Sequence, residues 1–165
     1  MSSRYQRSED FLATVQKLIP LASQTFSKSK TQYPVGVSPL FIDKAKGSRV
    51  WDLDGNEYLD FTSSLSCIIL GYGDSDVDQA VQEQLKKGSI FPLPSPLEYE
   101  VASLLNEMVP SAEMIRFGKN ASDATSASIR IARAYTKRDK VVVCGYHGWH
   151  DWYIGSTSKK EGIPD

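Results

Sequence analysis

Two short stretches hold residue types that could act together in chemistry. One is Asn120-Ala121-Ser122-Asp123, a polar turn leading into a run with helical spacing. The other is Tyr146-His147-Gly148-Trp149-His150-Asp151, an aromatic loop that holds both histidines of the chain. A helix starting after a short polar turn aims several unpaired N–H groups at one spot, with the positive end of its dipole behind them. Such a spot suits a phosphate, and an aromatic ring beside it suits a flat, phosphorylated cofactor. Asn120 and Ser122 can equally serve as plain helix caps, which is how the turn reads when taken alone.

Two other chemistries can be weighed on the same residues. His147, His150 and Asp151 offer a His-x-x-His-Asp set that could ligate a metal. The chain has no third histidine, the loop carries Gly148 and two tryptophans, and both cysteines, Cys67 and Cys144, fall in apolar runs. Metal binding is therefore not expected. Ser122 with either histidine could pair a nucleophile with a base. The sequence has no Gly-x-Ser-x-Gly elbow, and a serine at a helix start already has a local role. Hydrolysis ranks below metal binding.

The elements that must position these residues follow from periodicity. Residues 114–117 form a short apolar strand and 118–120 a turn. A helix over 121–136 follows, with Ala124, Ser128, Ile131, Ala132 and Tyr135 at helical spacing and Arg130, Arg133, Lys137 and Arg138 toward its negative end. Residues 141–144 are a continuous apolar run, the mark of a strand covered on both faces. These pieces make a βαβ unit with a right-handed crossover, and Tyr146 and His147 emerge at the carboxyl edge of its sheet.

Upstream, Ser8-Glu9-Asp10 opens a helix with Phe11, Leu12, Val15, Leu18 and Ile19 in one stripe, ended by Pro20. Residues 22–33 are a Ser/Thr/Lys-rich connection. Strands over 41–44, 49–53 and 57–61 are separated by Lys46-Gly47-Ser48 and Asp54-Gly55-Asn56, the latter a strong hairpin signal. Asp52, Asp54, Asn56 and Glu57 lack the spacing of a calcium loop and read as turn chemistry. Helices follow over 76–87 and 96–108, the second with Pro96 at its first position. The domain division expected is 1–62, helix, linker and antiparallel unit, and 63–165, the beginning of a larger α/β domain.

Composition narrows the classes. With 165 residues, 41% hydrophobic and 24% charged, the chain reads as a soluble globular protein. A net charge of −1 gives no reason to invoke nucleic acid or an anionic membrane. No stretch reads as a signal peptide or a bilayer span, so a cytoplasmic location is expected. Cys67 and Cys144 are expected to be buried free thiols.

Several of these motifs carry a resemblance. Arg116-Phe117 through Ala124, then Ile131-Ala132-Arg133-Ala134-Tyr135-Thr136, Asp139-Lys140 and Tyr146-His147-Gly148 resemble the cofactor region of class III pyridoxal-phosphate aminotransferases, nearest the glutamate-1-semialdehyde aminomutase type. Lys46-Gly47, Val50-Trp51-Asp52 and Asp54-Gly55-Asn56 resemble the small antiparallel sheet near that family's N-terminus. The resemblance implies a fold-type I transferase with pyridoxal 5'-phosphate as cofactor. It implies phosphate contacts at Asn120, Ala121 and Ser122, with Ala121 standing where the family has glycine. It also implies Tyr146 against the pyridine ring, and a substrate entrance at Ser64 and Leu65, where the family often has an aromatic. The partners implied are a small amino donor and acceptor and a second copy in a homodimer.

In that family the Schiff-base lysine and the carboxylate on the pyridine nitrogen come from beyond the Tyr-His-Gly loop. Here only Lys159 and Lys160 follow the loop, so no catalytic residue is assigned. The resemblance spans about residues 8–165 and less than half of a family member. The chain therefore reads as the N-terminal portion of an aminotransferase or aminomutase, inactive and dependent on a partner when alone. A non-catalytic remnant or interaction module of the same fold stays open beside it.

Overall fold

Gly47 and Gly55 take φ of +56° and +85°, a region that L side chains rarely enter, and this lets the chain reverse twice in a short span. The product is an antiparallel sheet of β1 (Ile42–Lys46), β2 (Arg49–Asp52) and β3 (Glu57–Leu59), in the order β1-β2-β3. Lys46 pairs with Arg49 and Val50 with Tyr58, and a bulge separates Ile42 from Lys44. Lys44 lies over the Trp51 ring at 5.1 Å, and Arg49 pairs with Glu57 across the strands. The three expected strands are present, with ends moved by one or two residues. The computed structural model describes residues 3–158 and 160–163. It divides into two compact units, Met1–Phe91 and Pro92–Asp165.

The hairpin organises the first unit through its carboxylates. Helix α1 (Gln6–Val15) receives no cap from its own N-cap residue, Tyr5. Asp54, in the β2–β3 turn, supplies one from 46 and 47 residues away: it accepts from the amides of Arg7 at 2.7 Å and Ser8 at 3.1 Å, and from the Ser8 hydroxyl at 2.6 Å. A carboxylate there also faces the positive end of the helix dipole. Burial alone would raise the Asp54 carboxyl. The bonds from the Ser8 side chain and from the two amides outweigh burial and hold it below the usual carboxylate range. Asp52, only 2% exposed, accepts from the Asn56 amide at 2.8 Å, the Asn56 side chain at 2.9 Å and the Tyr58 hydroxyl at 2.8 Å. The acidic hairpin residues thus bind the chain's own donors, as their turn chemistry suggested.

Apolar packing around this frame is thin. Tyr5 and Leu12 are buried, and Phe11 meets Phe41 edge to face at 5.0 Å. The expected stripe through Ile19 is shorter than its pattern: α1 ends at Val15, and Leu18 is 86% exposed in the turn that follows. Pro20 sits at the start of a short 3-10 turn, Pro20–Ala22, and cannot supply the amide that would have continued the helix.

After β3 the chain makes a single left-handed turn, α2 (Ser63–Ser66), with φ of +46°, +50°, +61° and +66° at four non-glycine residues. Each such residue costs about 1–2 kcal/mol, so the turn needs outside support. Asp60 gives it, accepting from the Thr62 amide and hydroxyl at 2.8 and 2.7 Å, the Ser64 amide at 3.3 Å and the Tyr72 hydroxyl at 2.7 Å. The Tyr72 bond first, then the Thr62 hydroxyl, lower the Asp60 carboxyl to about 2. Tyr72 is in turn bridged to Gly47, with amide-to-carbonyl distances of 2.8 and 2.9 Å.

Three longer helices follow their sequence signals. Helix α3 (Ser75–Lys87) is capped by Asp74, whose carboxylate accepts from the amides of Asp76 and Val77. Helix α4 (Pro96–Met108) opens with a capping box between Ser95 and Glu98, and α5 (Ala121–Thr136) with one between Asn120 and Asp123. Lys137 closes α5 at φ +57°. A short helix, α6 (Asp151–Ile154), ends the aromatic loop.

Two expectations need correction. Residues 114–117 and 141–144 are irregular backbone, and no ladder joins them, so the parallel pair of the βαβ unit is absent among the described residues. A strand exists only through its neighbour's hydrogen bonds, and these segments have none: Met114 is 95% and Val142 99% exposed. The second correction concerns the thiols. Cys67 and Cys144 are free thiols, but both are exposed.

Two outcomes follow for the first unit. Asp54→Ala removes the cap of α1 and should cost about 0.5–2 kcal/mol, read as a lower urea midpoint at unchanged slope; an unchanged midpoint contradicts the long-range cap. Asp60 ionises at about 2 when folded, against an ordinary 3.8. Its contribution is therefore complete above the ordinary value and fades as the pH falls from there through about 2. Asp60→Asn should flatten acid destabilisation over that window in circular dichroism, and an identical acid profile would refute the assignment.

Candidate functional site

The start of α5 is built by two side chains that point at each other's amides. The Asn120 side-chain oxygen accepts from the Asp123 amide at 3.1 Å, and the Asp123 carboxylate accepts from the Asn120 amide at 3.3 Å. This arrangement satisfies the amide of Asp123, third in the helix, and that of Asn120, the residue preceding the helix. The amides of Ala121 and Ser122 take no acceptor among the described hydrogen bonds. Two donors therefore remain free at the positive end of a 16-residue helix.

One face of the same helix carries the aromatic loop. Ser122, Thr125, Ser126 and Ile129, at positions i, i+3, i+4 and i+7, are half-buried, while the rest of α5 outside this face and the two capping turns is exposed. The Thr125 hydroxyl bonds to the His147 carbonyl at 3.2 Å. The Ser126 oxygen lies 2.6 Å from His150 Nδ1 and accepts from Trp152 Nε1–H at 3.0 Å. Between these bonds, Gly148 comes down on Ser122 at φ +101°. A Cβ placed on Gly148 would lie 2.4 Å from the Ser122 hydroxyl oxygen. Gly148 is also the one buried residue among the described residues 92–163.

The rings of the loop lock onto one another above this seat. His147 stacks on Trp152 at 6.1 Å and 30°. Tyr153 meets Tyr146 at 5.7 Å, His147 at 5.5 Å and Trp152 at 5.9 Å, all edge to face. His147 Nε2 lies 2.7 Å from the Cys144 carbonyl; a carbonyl only accepts, so Nε2 carries the proton. Tyr146 is 76% exposed and Trp149 71%. Trp152 and Tyr153 pack the loop together, and Trp152 ties it to one face of α5 through Ser126. Trp149 meets only His150, edge to face at 5.8 Å, and stands largely in solvent.

The sequence-derived candidates therefore fall in both units. Asn120, Ala121, Ser122 and Tyr146 lie in the second, on α5 and the loop latched to it. Ser64 and Leu65 lie in the first, inside the left-handed turn. The Ser64 hydroxyl accepts from Lys28 Nζ at 3.2 Å, and Leu65 is 47% exposed. A cavity of about 320 Å³ beside this turn is lined by Ser63, Asp60 and residues 68–72, and Ser64 and Leu65 are not on its wall. His147 Nε2 and His150 Nδ1 bond to the Cys144 carbonyl and to Ser126, and no group of three or more His, Cys, Asp or Glu side chains placed to hold a metal occurs among the described residues. Lys159 lies outside the described residues, and Lys160 is exposed. Ser126 and Thr125 escaped the sequence reading. Their one signal was a run of hydroxyls, Ser122, Thr125 and Ser126, at helical spacing on a helix otherwise read through its apolar residues.

Comparison with known proteins supplies the context. The Aminotransferase class-III family profile matches residues 32–165. The chain is 39% identical over 170 residues to a glutamate-1-semialdehyde 2,1-aminomutase of Desulforamulus reducens, covering 99% of this chain and 39% of that protein. It is 45% identical over 130 residues to a 3-aminobutyryl-CoA aminotransferase of Cloacimonas acidaminovorans, covering 78% and 31%. A solved transaminase with PLP bound superposes with a TM-score of 0.78 at 27% identity, over 92% of this chain and 34% of that one. The chain thus spans about two fifths or less of the proteins it matches. Its fold is the N-terminal part of a fold-type I PLP transaminase, a small antiparallel sheet followed by helices. On the match of 32–165 and these likenesses, the chain belongs to the class-III aminotransferase family.

Proposed function

We propose that the start of α5 and the aromatic loop hold pyridoxal 5'-phosphate, within an aminotransferase or aminomutase that moves an amino group on an amino acid, amino-aldehyde or keto substrate. The observation that carries this reading is the pair of free amides at Ala121 and Ser122, on a capped helix whose flank carries the aromatic loop. The residues present fit the group. Two amides and a helix dipole suit a phosphate dianion, and the exposed Tyr146 ring offers an aromatic face. Asn120 shapes the turn by holding Asp123, which keeps the next two amides free. Gly148 keeps the loop close enough for Tyr146 to belong to the same site.

When bound, pyridoxal phosphate supplies an electron sink for chemistry at the amino-bearing carbon. The chain's own residues bind and orient it: Ala121 and Ser122 at the phosphate, Tyr146 at the ring. Ser64 and Leu65 are our candidates for the substrate entrance, supported by the strained turn that presents them. The apolar positions Val101, Leu104 and Met108 of α4 and Ile131 and Tyr135 of α5 are exposed. We assign their cover to the remaining part of an aminotransferase fold and to a second copy in a homodimer, in the cytoplasm. The same exposed faces would also serve an interaction module that binds no cofactor, and ligand titration separates the two readings.

The sharpest test exploits the first helical position. Proline is tolerated there because its missing N–H is not used by the helix, and Asn120 already has the extended backbone, φ −141° and ψ 167°, that precedes proline. Ala121→Pro should keep the helical circular dichroism and remove one phosphate donor. A hydrogen bond to a charged group contributes roughly 1.5–3 kcal/mol, so the Kd for pyridoxal phosphate should rise roughly 10- to 150-fold. Unchanged affinity in a folded Ala121→Pro variant contradicts the phosphate assignment.

A further inference from the structure

We propose that Ser126 is a positioning residue for the cofactor face: its hydroxyl fixes His150 and Trp152, and through Trp152 and Tyr153 the ring of Tyr146. The inference rests on the reading of the site as a cofactor seat, and names what holds its aromatic wall in place. Ser126 lies one helical turn beyond Ser122, on the half-buried face that receives the loop. Its oxygen meets two loop side chains at once, Trp152 Nε1 at 3.0 Å and His150 Nδ1 at 2.6 Å.

The direction of these bonds follows from donor chemistry. An indole N–H can only donate, so Ser126 Oγ accepts from Trp152. The hydroxyl proton then has one acceptor among the described hydrogen bonds, His150 Nδ1. A neutral His150 held this way keeps its proton on Nε2. One hydroxyl therefore sets an indole position and an imidazole tautomer together.

The mechanical path from Ser126 to the ligand face is made of rings. Trp152, held by Ser126, stacks on His147 and meets Tyr153 edge to face; Tyr153 meets Tyr146 in the same way. Tyr146 itself makes no hydrogen bond among those described and is 76% exposed, so neighbouring rings set its orientation. The phosphate donors at Ala121 and Ser122 belong to the helix and its cap, and owe nothing to Ser126. Loss of the Ser126 hydroxyl should thus loosen the aromatic wall and leave the anion seat intact.

That division gives a test with two probes, inorganic phosphate and pyridoxal phosphate, on the chain with Ser126→Ala and Ser126→Thr. Ring nitrogen shifts of His150, measured without ligand at mildly alkaline pH, provide a third readout. The expected result is the Nε2–H tautomer in the parent chain and a mixture of tautomers in Ser126→Ala. Pyridoxal phosphate should bind Ser126→Ala about tenfold more weakly, phosphate should bind as before, and Ser126→Thr should restore both the tautomer and the affinity. Trp152→Phe, which keeps a ring and removes the donor, should weaken pyridoxal phosphate in the same direction and stands in if Ser126→Ala does not fold. An unchanged His150 signature in Ser126→Ala, or equal loss of both ligands, overturns the inference. If the parent chain binds neither probe, the cofactor reading fails with it, while the tautomer result still decides whether Ser126 holds the loop.

Discussion

Much of the second unit hangs on the approach of Gly148 to Ser122. A loop can reach a helix this closely only where it has no side chain to insert, and a Cβ at Gly148 would overlap the serine hydroxyl at 2.4 Å. The φ of +101° adds a second demand that only glycine meets without strain. With the backbone this near, the His147 carbonyl reaches Thr125, and His150 and Trp152 reach Ser126. Two hydroxyls, Thr125 and Ser126, with Gly148 seated on Ser122, thus do what an apolar stripe does in most helices. A polar latch has a cost, since each bond must be made with good geometry to offset lost hydration. It also brings the loop backbone down on Ser122, at the start of α5.

The first unit shows the same preference for polar fasteners. Asp54, Asp52 and Asp60 each collect three or four donors, and between them they seat α1, close the hairpin and support the left-handed turn. Only Tyr5 and Leu12 are buried apolar side chains among the described residues. A domain with its own full core would not look like this. Val77, Val81 and Leu85 on α3, and Val101, Leu104 and Met108 on α4, hold the spacing of buried faces yet are exposed. Such faces are what a family member needs to pack the rest of its fold, and this chain matches 39% of one relative's length and 31% of another's.

How much of this was legible depended on the range of the interaction concerned. The Asp54-Gly55 hairpin, the Ser95-Pro96 start and the Asn120 cap use residues within four of each other, and all three stand where the sequence put them. The family was equally readable because resemblance rests on local runs. Long-range features were not. No local pattern announces that Asp54 caps a helix 46 residues earlier, since any turn aspartate looks alike. Residues 141–144 had the composition of a buried strand, but a ladder needs a neighbour, and Val142 stands 99% exposed without one. The expected burial of Cys144 failed for the same reason. Ser126 was missed because hydroxyls on a helix read as solvent-facing unless their partners, His150 and Trp152, are known to sit beside them.

The claim on which the account depends is that the start of α5 is an anion seat with an aromatic wall. Backbone amide chemical shifts of the chain during titration with pyridoxal phosphate test it most directly. The account predicts that Ala121 and Ser122 move first and furthest, with the Tyr146 ring signals following the same saturation curve. Movement centred on another part of the chain, or none at concentrations that saturate the family's enzymes, would contradict it.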